Sequence, residues 1–316
     1  MCTGGCLVQK AASYTKKEGE EMEKLRKDKR TICLFILPAL FCYLMIAAFP
    51  LLCSAVLSFA DWDVAGLNGF VGLKNYVQLF TTDKIFQDAV VHTLMATVLC
   101  LLVQVPCSVL LAYLLTKIRR GRNFLKVAFF VPNMISTAAI GILWIFILHP
   151  EFGLINTILR FVGLDSFTHV WLGESGTALI CVILAASWQY IGYHMIIYLC
   201  AMQNISSSVL ESAEIDGATS WQAFCKITFP LIVPILKIDT VLVATGSLRI
   251  FDIVFVMTGG GPNHASEVIA SHLYTRSFKG MQFGYGSAMS VVLMIMCVLV
   301  TVVLNGVFKR SEENIE

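Results

Sequence analysis

Apolar residues along this chain are gathered into six long runs, separated by shorter polar segments. Each run has about the 20 residues that a helix needs to cross the hydrocarbon core of a bilayer. The runs are Ile32–Phe59, Ala89–Thr116, Phe124–Leu148, Thr177–Met202, Ile238–Met257 and Ser287–Phe308. The first run is too long to be the apolar region of a cleaved signal peptide. The pattern predicts an all-α polytopic membrane protein with six transmembrane helices.

Composition agrees with this prediction. Of the 316 residues, 57% are hydrophobic and only 14% are charged, whereas soluble globular chains are about 25% charged. The net charge of +2 is too small to suggest a nucleic-acid partner.

The positions of Lys and Arg predict how the helices are oriented. Eight of these residues precede the first run, and five follow the second run in "KIRRGRNFLK". Cytoplasmic loops carry an excess of Lys and Arg, so both termini and the loops after helices two and four are expected in the cytoplasm. Residues 1–31 form a basic tail, 32–308 a transmembrane domain with its core at about 89–308, and 309–316 a second tail. "MEKLRKDKRT" reads as a complete basic leader, which leaves open whether the chain starts at Met1 or Met22.

The eleven cysteines do not indicate a disulfide framework. Most lie within apolar runs, where a free thiol acts as a small apolar side chain. Cys2 and Cys6 lack a nearby His or second Cys pair. The sequence shows no metal-ligand cluster and no catalytic constellation, so neither a metal site nor an enzyme activity is predicted.

A polar stretch interrupts the apolar runs between helices four and five, "SSSVLESAEIDGATSWQAFCKITFPLIVP". Ser208 and Glu211 have the spacing of a capping box that opens a short helix, and Gly217 is of the type that ends one. Thr219 or Ser220 can then cap a second short helix. We call residues 206–230 the coupling loop.

The coupling loop has an acidic character that bears on its partner. Its acids are Glu211, Glu214 and Asp216, against one base, Lys226. An apolar surface is predicted from Val209, Leu210, Ala213, Trp221 and Phe224. A connector lying on anionic lipid would be rich in Lys and Arg instead. A protein partner with a basic groove is therefore favoured over a lipid surface.

The coupling loop closely resembles the cytoplasmic "EAA" loop of ABC importer permeases. The match is carried by Glu211, Ala213, Asp216, Gly217, Ala218, Ile227 and Pro230. Ser212 and Phe229 depart from the usual Ala and Leu. Two further matches, "RIFDIVFVMTGGGPNHASEVI" and "FFVPNMISTAAIGILWIFIL", make the chain similar to carbohydrate-type permeases of the maltose, glycerol-phosphate and multiple-sugar kind over about residues 32–308.

This resemblance implies a fold, a function and a set of partners. The loop residues Glu211, Ala213, Asp216, Gly217, Ile227 and Pro230 would dock on ABC ATPase subunits. The chain contains no G-x-x-x-x-G-K-[ST] phosphate loop, so ATP would be used by the separate ATPase, and no cofactor is expected here. A second permease, often non-identical, and an extracellular solute-binding protein would complete the system. The solute would be a sugar, an oligosaccharide or a sugar-phosphate-type molecule, crossing the bacterial plasma membrane by alternating access.

Polar and aromatic residues inside the runs are candidates for the substrate pathway. Asn133 and Thr137 are four residues apart on helix three, Tyr190 and Tyr193 are three apart on helix four, and Ser247 lies on helix five. Rings suit the apolar faces of a sugar, and amides and hydroxyls suit its OH groups. Helix packing is the alternative for each residue. By resemblance these positions match sugar-lining ones, although Ile250 replaces a polar group of the maltose-type permease.

Arg249, Asp252 and His194 are ionisable residues within the predicted helices four and five. Arg249 and Asp252 are three apart, and an ion pair near the outer gate is favoured over direct substrate contact, since an unpaired charge at the centre of a membrane helix is costly. His194 is interpreted as a packed histidine. An ion-coupled secondary transporter is the alternative function, but no inverted repeat or unwound helix pair supports it.

Overall fold

The computed structural model describes the backbone of residues 29–312 and the side-chain surroundings of residues 36–309. The basic tail up to residue 28, with Met22, Cys2 and Cys6, lies outside the described residues, as does the chain after residue 312. The chain divides into two compact units, residues 1–56 and 57–316.

The first unit contains one apolar helix with a local irregularity. Helix α1 (Lys29–Tyr43) continues through a π-helical turn at Leu44–Ala48 into α2 (Phe49–Leu57), which ends at the unit boundary. Residues Ile36–Leu57 are long and apolar enough to cross a membrane, which confirms the first predicted span.

The second unit is helical apart from one small hairpin. Its helices are α3 (Lys74–Thr81), α4 (Lys84–Lys117), α5 (Arg122–Met134), α6 (Thr137–Ile147), α7 (Leu154–Phe161), α8 (Ala178–Gln203), α9 (Ser207–Ile215), α10 (Ser220–Ala223), α11 (Phe229–Leu248), α12 (Asp252–Met257), α13 (Ile269–Tyr274) and α14 (Phe283–Glu312). Within the described residues, five helices can span a membrane, and a bent pair makes a sixth if it is counted as one span. The predicted all-α class and helix count are therefore confirmed.

The hairpin was not predicted. Strands β1 (Ala60–Asp63) and β2 (Gly66–Phe70) pair antiparallel, with Ala60 opposite Phe70 and an irregularity after Asp61. The Nδ2 of Asn75 donates to the carbonyls of Ser58 and Ala60 at 2.9 and 3.1 Å, which anchors β1 to α3.

The third predicted helix is wrong as a continuous span. Helices α5 and α6 meet at an angle of 99°. Ile135 and Ser136 between them have extended backbone, and the Ser136 hydroxyl accepts from the Ala139 N–H at 3.3 Å. The Nε2 of Gln189, from α8, donates to the Ile135 carbonyl at 3.2 Å and to the Thr137 hydroxyl at 3.3 Å. The break is stable because side chains bind the backbone groups that it frees.

The fifth predicted helix has both ends misplaced. The helix runs without interruption from Ser220 to Leu248, through a π-helical turn at Phe224–Thr228. The second short helix of the coupling loop is therefore the start of the span, not a separate element. The helix then stops at Leu248, and α12 begins only at Asp252.

Helix α8 occupies the centre of the second unit. It packs against α4, α5 and α11, and small residues such as Ala185, Ala186 and Cys100 are buried at these contacts. At Gly192 an added Cβ would lie 1.8 Å from the carbonyl oxygen of Phe129. Glycine at this position allows α5 to cross against the backbone of α8.

Candidate functional site

A cavity of about 480 Å³ opens in the second unit beside α8. All of the pathway candidates from the sequence line it, as do both charged residues of the predicted ion pair: Asn133, Thr137, Tyr190, Tyr193, Ser247, Arg249 and Asp252. The structure thus brings together side chains from α5, α6, α8, α11 and the segment that follows α11. That this cavity is the substrate path stays a prediction.

Asn133 and Thr137 reach the cavity in a different way from the one predicted. They lie on opposite sides of the 99° bend, at the end of α5 and the start of α6, so they do not share one face of a helix. The polar groups stay near each other because the backbone turns between them. The break itself therefore contributes to the cavity wall.

The two tyrosines of α8 are the largest aromatic groups on the wall. Tyr190 and Tyr193 keep 38% and 40% of their surface exposed, which is high for side chains in a helix that is otherwise mostly buried. Ser247 is buried, and its hydroxyl donates to the Ala244 carbonyl at 3.0 Å. Of the predicted residues, the tyrosines thus offer more accessible surface than Ser247.

The predicted ion pair is wrong. In the described part of the chain, Arg249 and Asp252 do not pair, and the Arg249 Nε instead donates to the Thr245 carbonyl at 3.0 Å. The reason is that the helix ends at Leu248, so the two residues lose the spacing that would place them on one helix face. Both side chains are exposed at the cavity.

A buried hydrogen-bonded pair beside the cavity was missed by sequence reasoning. The Nδ1 of His194 lies 2.7 Å from the Oδ1 of Asp239, and His194 lines the cavity. The interpretation of His194 as a packed residue recognised its burial but not its partner. The sequence position of Asp239 could have indicated this pair, because an aspartate inside an apolar run needs a partner.

The coupling loop forms two helical segments joined at a glycine. Gly217 has φ of +80°, the left-handed conformation that ends a helix. Thr219 caps the second segment, as predicted, and forms a capping box with Gln222. The Thr219 N–H donates to the Gln222 Oε1 at 2.8 Å, and the Gln222 N–H donates to the Thr219 Oγ1 at 3.3 Å. The capping box predicted at Ser208 is wrong, because α9 already begins at Ser207.

The surface of the coupling loop is acidic, as predicted, but its apolar part differs. Glu211, Glu214, Asp216 and Gly217 are exposed, while Ile227 and Pro230 are half-buried. Ala213 and Phe224 are buried at 6% and 8% exposure, so neither can contact a partner directly, contrary to the prediction. The exposed large apolar side chains of the coupling loop are Val209, Ile215, Trp221 and Phe229.

An aromatic cluster ties the coupling loop to α4. The Tyr113 hydroxyl donates to the Ser220 carbonyl at 3.1 Å. The ring centroid of Tyr113 lies 4.3 Å from that of Phe224 and 6.1 Å from that of Trp221. These contacts join the coupling loop to the end of α4, in addition to its continuation into α11.

A second polar cluster lies where α4, α13 and α14 begin. Asp83 caps α4, and its carboxylate accepts from the Tyr285 hydroxyl at 2.8 Å and lies 3.2 Å from the His272 Nε2. The His272 Nδ1 lies 3.3 Å from Glu267, which also contacts His264. Burial alone raises the pKa of Asp83, but hydrogen bonds from the Phe86 N–H, Tyr285 and His272 outweigh it and leave that pKa below its usual value.

The pKa of the Glu267 carboxyl is lowered for a similar reason, since hydrogen bonds and charge from His272 and His264 outweigh the effect of burial. Among the residues that the structure describes, no group of His, Cys, Asp or Glu side chains could hold a metal ion. The eight cysteines whose side chains are described are free thiols.

Comparison with known proteins places this geometry in a family. Residues 104–316 match the family model described as "Binding-protein-dependent transport system inner membrane component". The probable ABC transporter permease protein YurN of Bacillus subtilis is 35% identical over 283 residues, 89% of this chain and 96% of that protein. The probable starch degradation products transport system permease protein AmyD of Thermoanaerobacterium thermosulfurigenes is 30% identical, over 85% of this chain and 91% of that protein.

A solved structure shares the fold. It is the crystal structure of a bacterial ABC transporter involved in the import of the acidic polysaccharide alginate. It superposes with a TM-score of 0.80 and 23% identity, over 92% of this chain and 99% of that chain. The family model covers most of this chain, and the relatives cover nearly all of it. The chain therefore belongs to the family of binding-protein-dependent transport system inner membrane components, the permeases of ABC importers.

Proposed function

We propose that this permease carries a sugar or short oligosaccharide into the cell by alternating access, through the cavity beside α8. The observation that carries the proposal is the wall of that cavity. It combines two accessible tyrosine rings with the amide of Asn133 and the hydroxyl of Thr137. Small-ligand pockets of about 300–1,000 Å³ bind through apolar surface and a few placed polar groups.

The names of relatives support a sugar as the solute. AmyD is named for the transport of starch degradation products. A phosphate-bearing sugar is a second candidate, which is favoured by the guanidinium of Arg249 at the cavity, since this group forms no ion pair with the residues that the structure describes. The exposed carboxylate of Asp252 on the same wall opposes it.

The energy for transport would come from partner subunits. ATP would be hydrolysed by separate ABC ATPase subunits, which the coupling loop would contact through Glu211, Glu214 and Asp216 and through the exposed Ile215 and Trp221. A second permease, non-identical in our proposal, would complete the path, and an extracellular solute-binding protein would deliver the sugar. Both termini and the coupling loop would lie in the cytoplasm, because the Lys and Arg residues are concentrated there.

Uptake by the reconstituted importer tests this function. The permease, its partner permease, the ATPase and the binding protein encoded beside it would be placed in liposomes containing ATP. Uptake would be measured for radiolabelled glucose, maltose, maltotriose, arabinobiose and glycerol 3-phosphate. We expect saturable, ATP-dependent uptake of at least one sugar. Uptake of none of these, or uptake driven by an ion gradient without ATP, would contradict the proposal.

A further inference from the structure

The buried pair of His194 and Asp239 joins α8 to α11 at the edge of the cavity. The two side chains are 6% and 0% exposed, and the atoms Nδ1 and Oδ1 are 2.7 Å apart. The second carboxylate oxygen of Asp239 is sealed from solvent, and the equally sealed Tyr198 hydroxyl lies beside this carboxylate. A carboxylate at this depth is costly, and such residues commonly mark a transport path.

The pairing decides which nitrogen of His194 is free. The hydrogen bond to Asp239 occupies Nδ1, whichever of the two partners holds the shared proton. The remaining nitrogen, Nε2, has no partner among the described residues, yet it is not among the polar atoms sealed from solvent. Since His194 lines the cavity, its accessible ring nitrogen is placed at the cavity wall.

We propose that His194 binds a hydroxyl group of the transported sugar through Nε2, and that Asp239 is a positioning residue that fixes the orientation of the ring. This inference rests on the proposed function. A hydroxyl suits the site because it both donates and accepts. It can pair with Nε2 whether the ring is neutral and accepts or is charged and donates.

The neighbours of His194 make it a specificity-determining position. Tyr190, Tyr193 and His194 follow each other at the i, i+3 and i+4 positions of α8, so they share one face of the helix. The ring centroids of Tyr193 and His194 are 5.1 Å apart. A sugar lying against the tyrosines would therefore present one edge to Nε2, and a hydroxyl at that edge would be selected.

Two substitutions separate a sugar contact from a purely structural pair. In His194→Asn the side-chain amide takes the place of Nδ1, so the bond to Asp239 can persist while the cavity loses its polar group. In His194→Gln the amide reaches the place of Nε2 instead. We expect the KM for uptake to rise roughly three- to tenfold in His194→Asn, the effect of one hydrogen bond, with little change in maximal rate. His194→Gln should stay closer to the original protein.

Deoxy sugars supply a readout that packing alone would not affect. The sugar with the highest uptake in the reconstituted importer would be compared with its monodeoxy analogues. The original protein should show a raised KM for the analogue that lacks the bound hydroxyl. In His194→Asn that analogue and the parent sugar should have the same KM. His169→Asn is the matched control, because His169 forms a similar pair with Glu174 at 3.0 Å but is exposed and away from the cavity.

The outcomes separate this inference from the proposed function. If the original importer takes up no sugar, the proposed function fails. If it transports sugar, the inference is overturned by a His194→Asn protein that keeps the original KM and the same discrimination among deoxy analogues, or by a KM that rises only in His194→Gln. Should His194→Asn fail to insert, the deoxy series would be measured in the double variant His194→Leu, Asp239→Leu, which removes the ring and leaves no unpaired carboxylate in the membrane helix. Retained discrimination there would equally overturn the inference.

Discussion

Single substitutions at the cavity should change the rate of transport, and single substitutions on the coupling loop should change the affinity for the ATPase. The tyrosines and His194 present polar and aromatic groups, whereas Gly246 presents none, and an added Cβ there would meet open space. On the coupling loop, Ile215 keeps 86% of its surface exposed. Val209 and Trp221 are exposed on the same acidic loop, and apolar surface rimmed by polar residues commonly marks an interaction site.

A bulky side chain at position 246 should obstruct transport without disturbing the fold. Gly246→Trp would project its ring into the cavity, and we expect uptake to fall more than tenfold. Gly246→Ala is the control, since alanine fits the space and favours the helix by about 1 kcal/mol. Uptake would be measured in vesicles with permease amounts equalised by blot. Normal uptake in Gly246→Trp would mean that the solute takes another route.

A charge at position 215 should weaken the contact with the ATPase. Ile215→Glu would place a carboxylate where an apolar side chain is expected to be covered. We expect affinity for the ATPase to fall at least tenfold, about 1.4 kcal/mol, as measured by co-purification and titration. Ile215→Leu should bind normally, and Leu164→Glu, on the other predicted side of the membrane, should have no effect. Unchanged binding by Ile215→Glu would remove Ile215 from the interface.

Whole elements could be predicted from the sequence where apolar length decides them. The approximate positions of the first, second, fourth and sixth spans follow from run length, and the end of α9 shortly before Gly217 follows from turn chemistry. The 99° break after α5 could not be predicted, because it depends on Gln189 donating to Ile135 across the bundle. Likewise, nothing in the apolar run of helix five marks the stop at Leu248. For the site, residue types pointed to the cavity, but the pairing of His194 with Asp239 needs two distant helices to be placed together.

The crossing of α5 and α8 should be sensitive to a single methyl group. Gly192→Ala would bring a Cβ within 1.8 Å of the Phe129 carbonyl oxygen, so the helices must separate. We expect a destabilisation of about 1–3 kcal/mol, the usual cost of overpacking. Thermal unfolding in detergent would measure it. Gly306→Ala on α14, where the added Cβ meets nothing, should leave the unfolding temperature unchanged or raise it. Equal stability of both variants would exclude this close approach.

At the scale of the whole molecule, family membership makes the chain a transport component, not an enzyme, and disfavours an ion-coupled carrier. The chain has several membrane helices, and its second unit contains two clusters of polar residues. One surrounds the cavity, and the other joins the beginnings of α4, α13 and α14. The second cluster holds helix ends together and contains no residue of the cavity wall.

Acid should loosen this second cluster. The pKa values of Asp83 and Glu267 are lowered in the folded protein, so their stabilising effect is complete above the unfolded-state values of 3.8 and 4.5. It is lost as the pH falls through the folded-state values. We expect Asp83→Asn to destabilise the protein by about 2 kcal/mol at neutral pH, as for lost bonds to a charged group, and to flatten the acid dependence. Unfolding temperatures from pH 7 to pH 3 would show this, with exposed Asp165→Asn as the control.

The orientation in the membrane can be tested with two serines. In a protein whose cysteines have been replaced, Ser220→Cys should react only with reagents supplied from the cytoplasm, and Ser166→Cys only from outside. Both serines are exposed, so access within the protein is equal. A membrane-impermeant maleimide applied to intact cells and to inverted vesicles would distinguish the sides. The reverse pattern would contradict the orientation drawn from the Lys and Arg residues.

The unbroken helix from Ser220 to Leu248 has a mechanical consequence. Its 29 residues give a rod of about 43 Å at 1.5 Å per residue, with Trp221 of the coupling loop near one end and Ser247 of the cavity near the other. Were the helix to pivot at Ile232, which is 1% exposed in the core, that residue would separate two arms of different length. It divides the rod into arms of about 18 and 24 Å. A displacement of the coupling-loop end would then produce a slightly larger displacement of the cavity end. Bending at the π-helical turn Phe224–Thr228 would reduce that displacement.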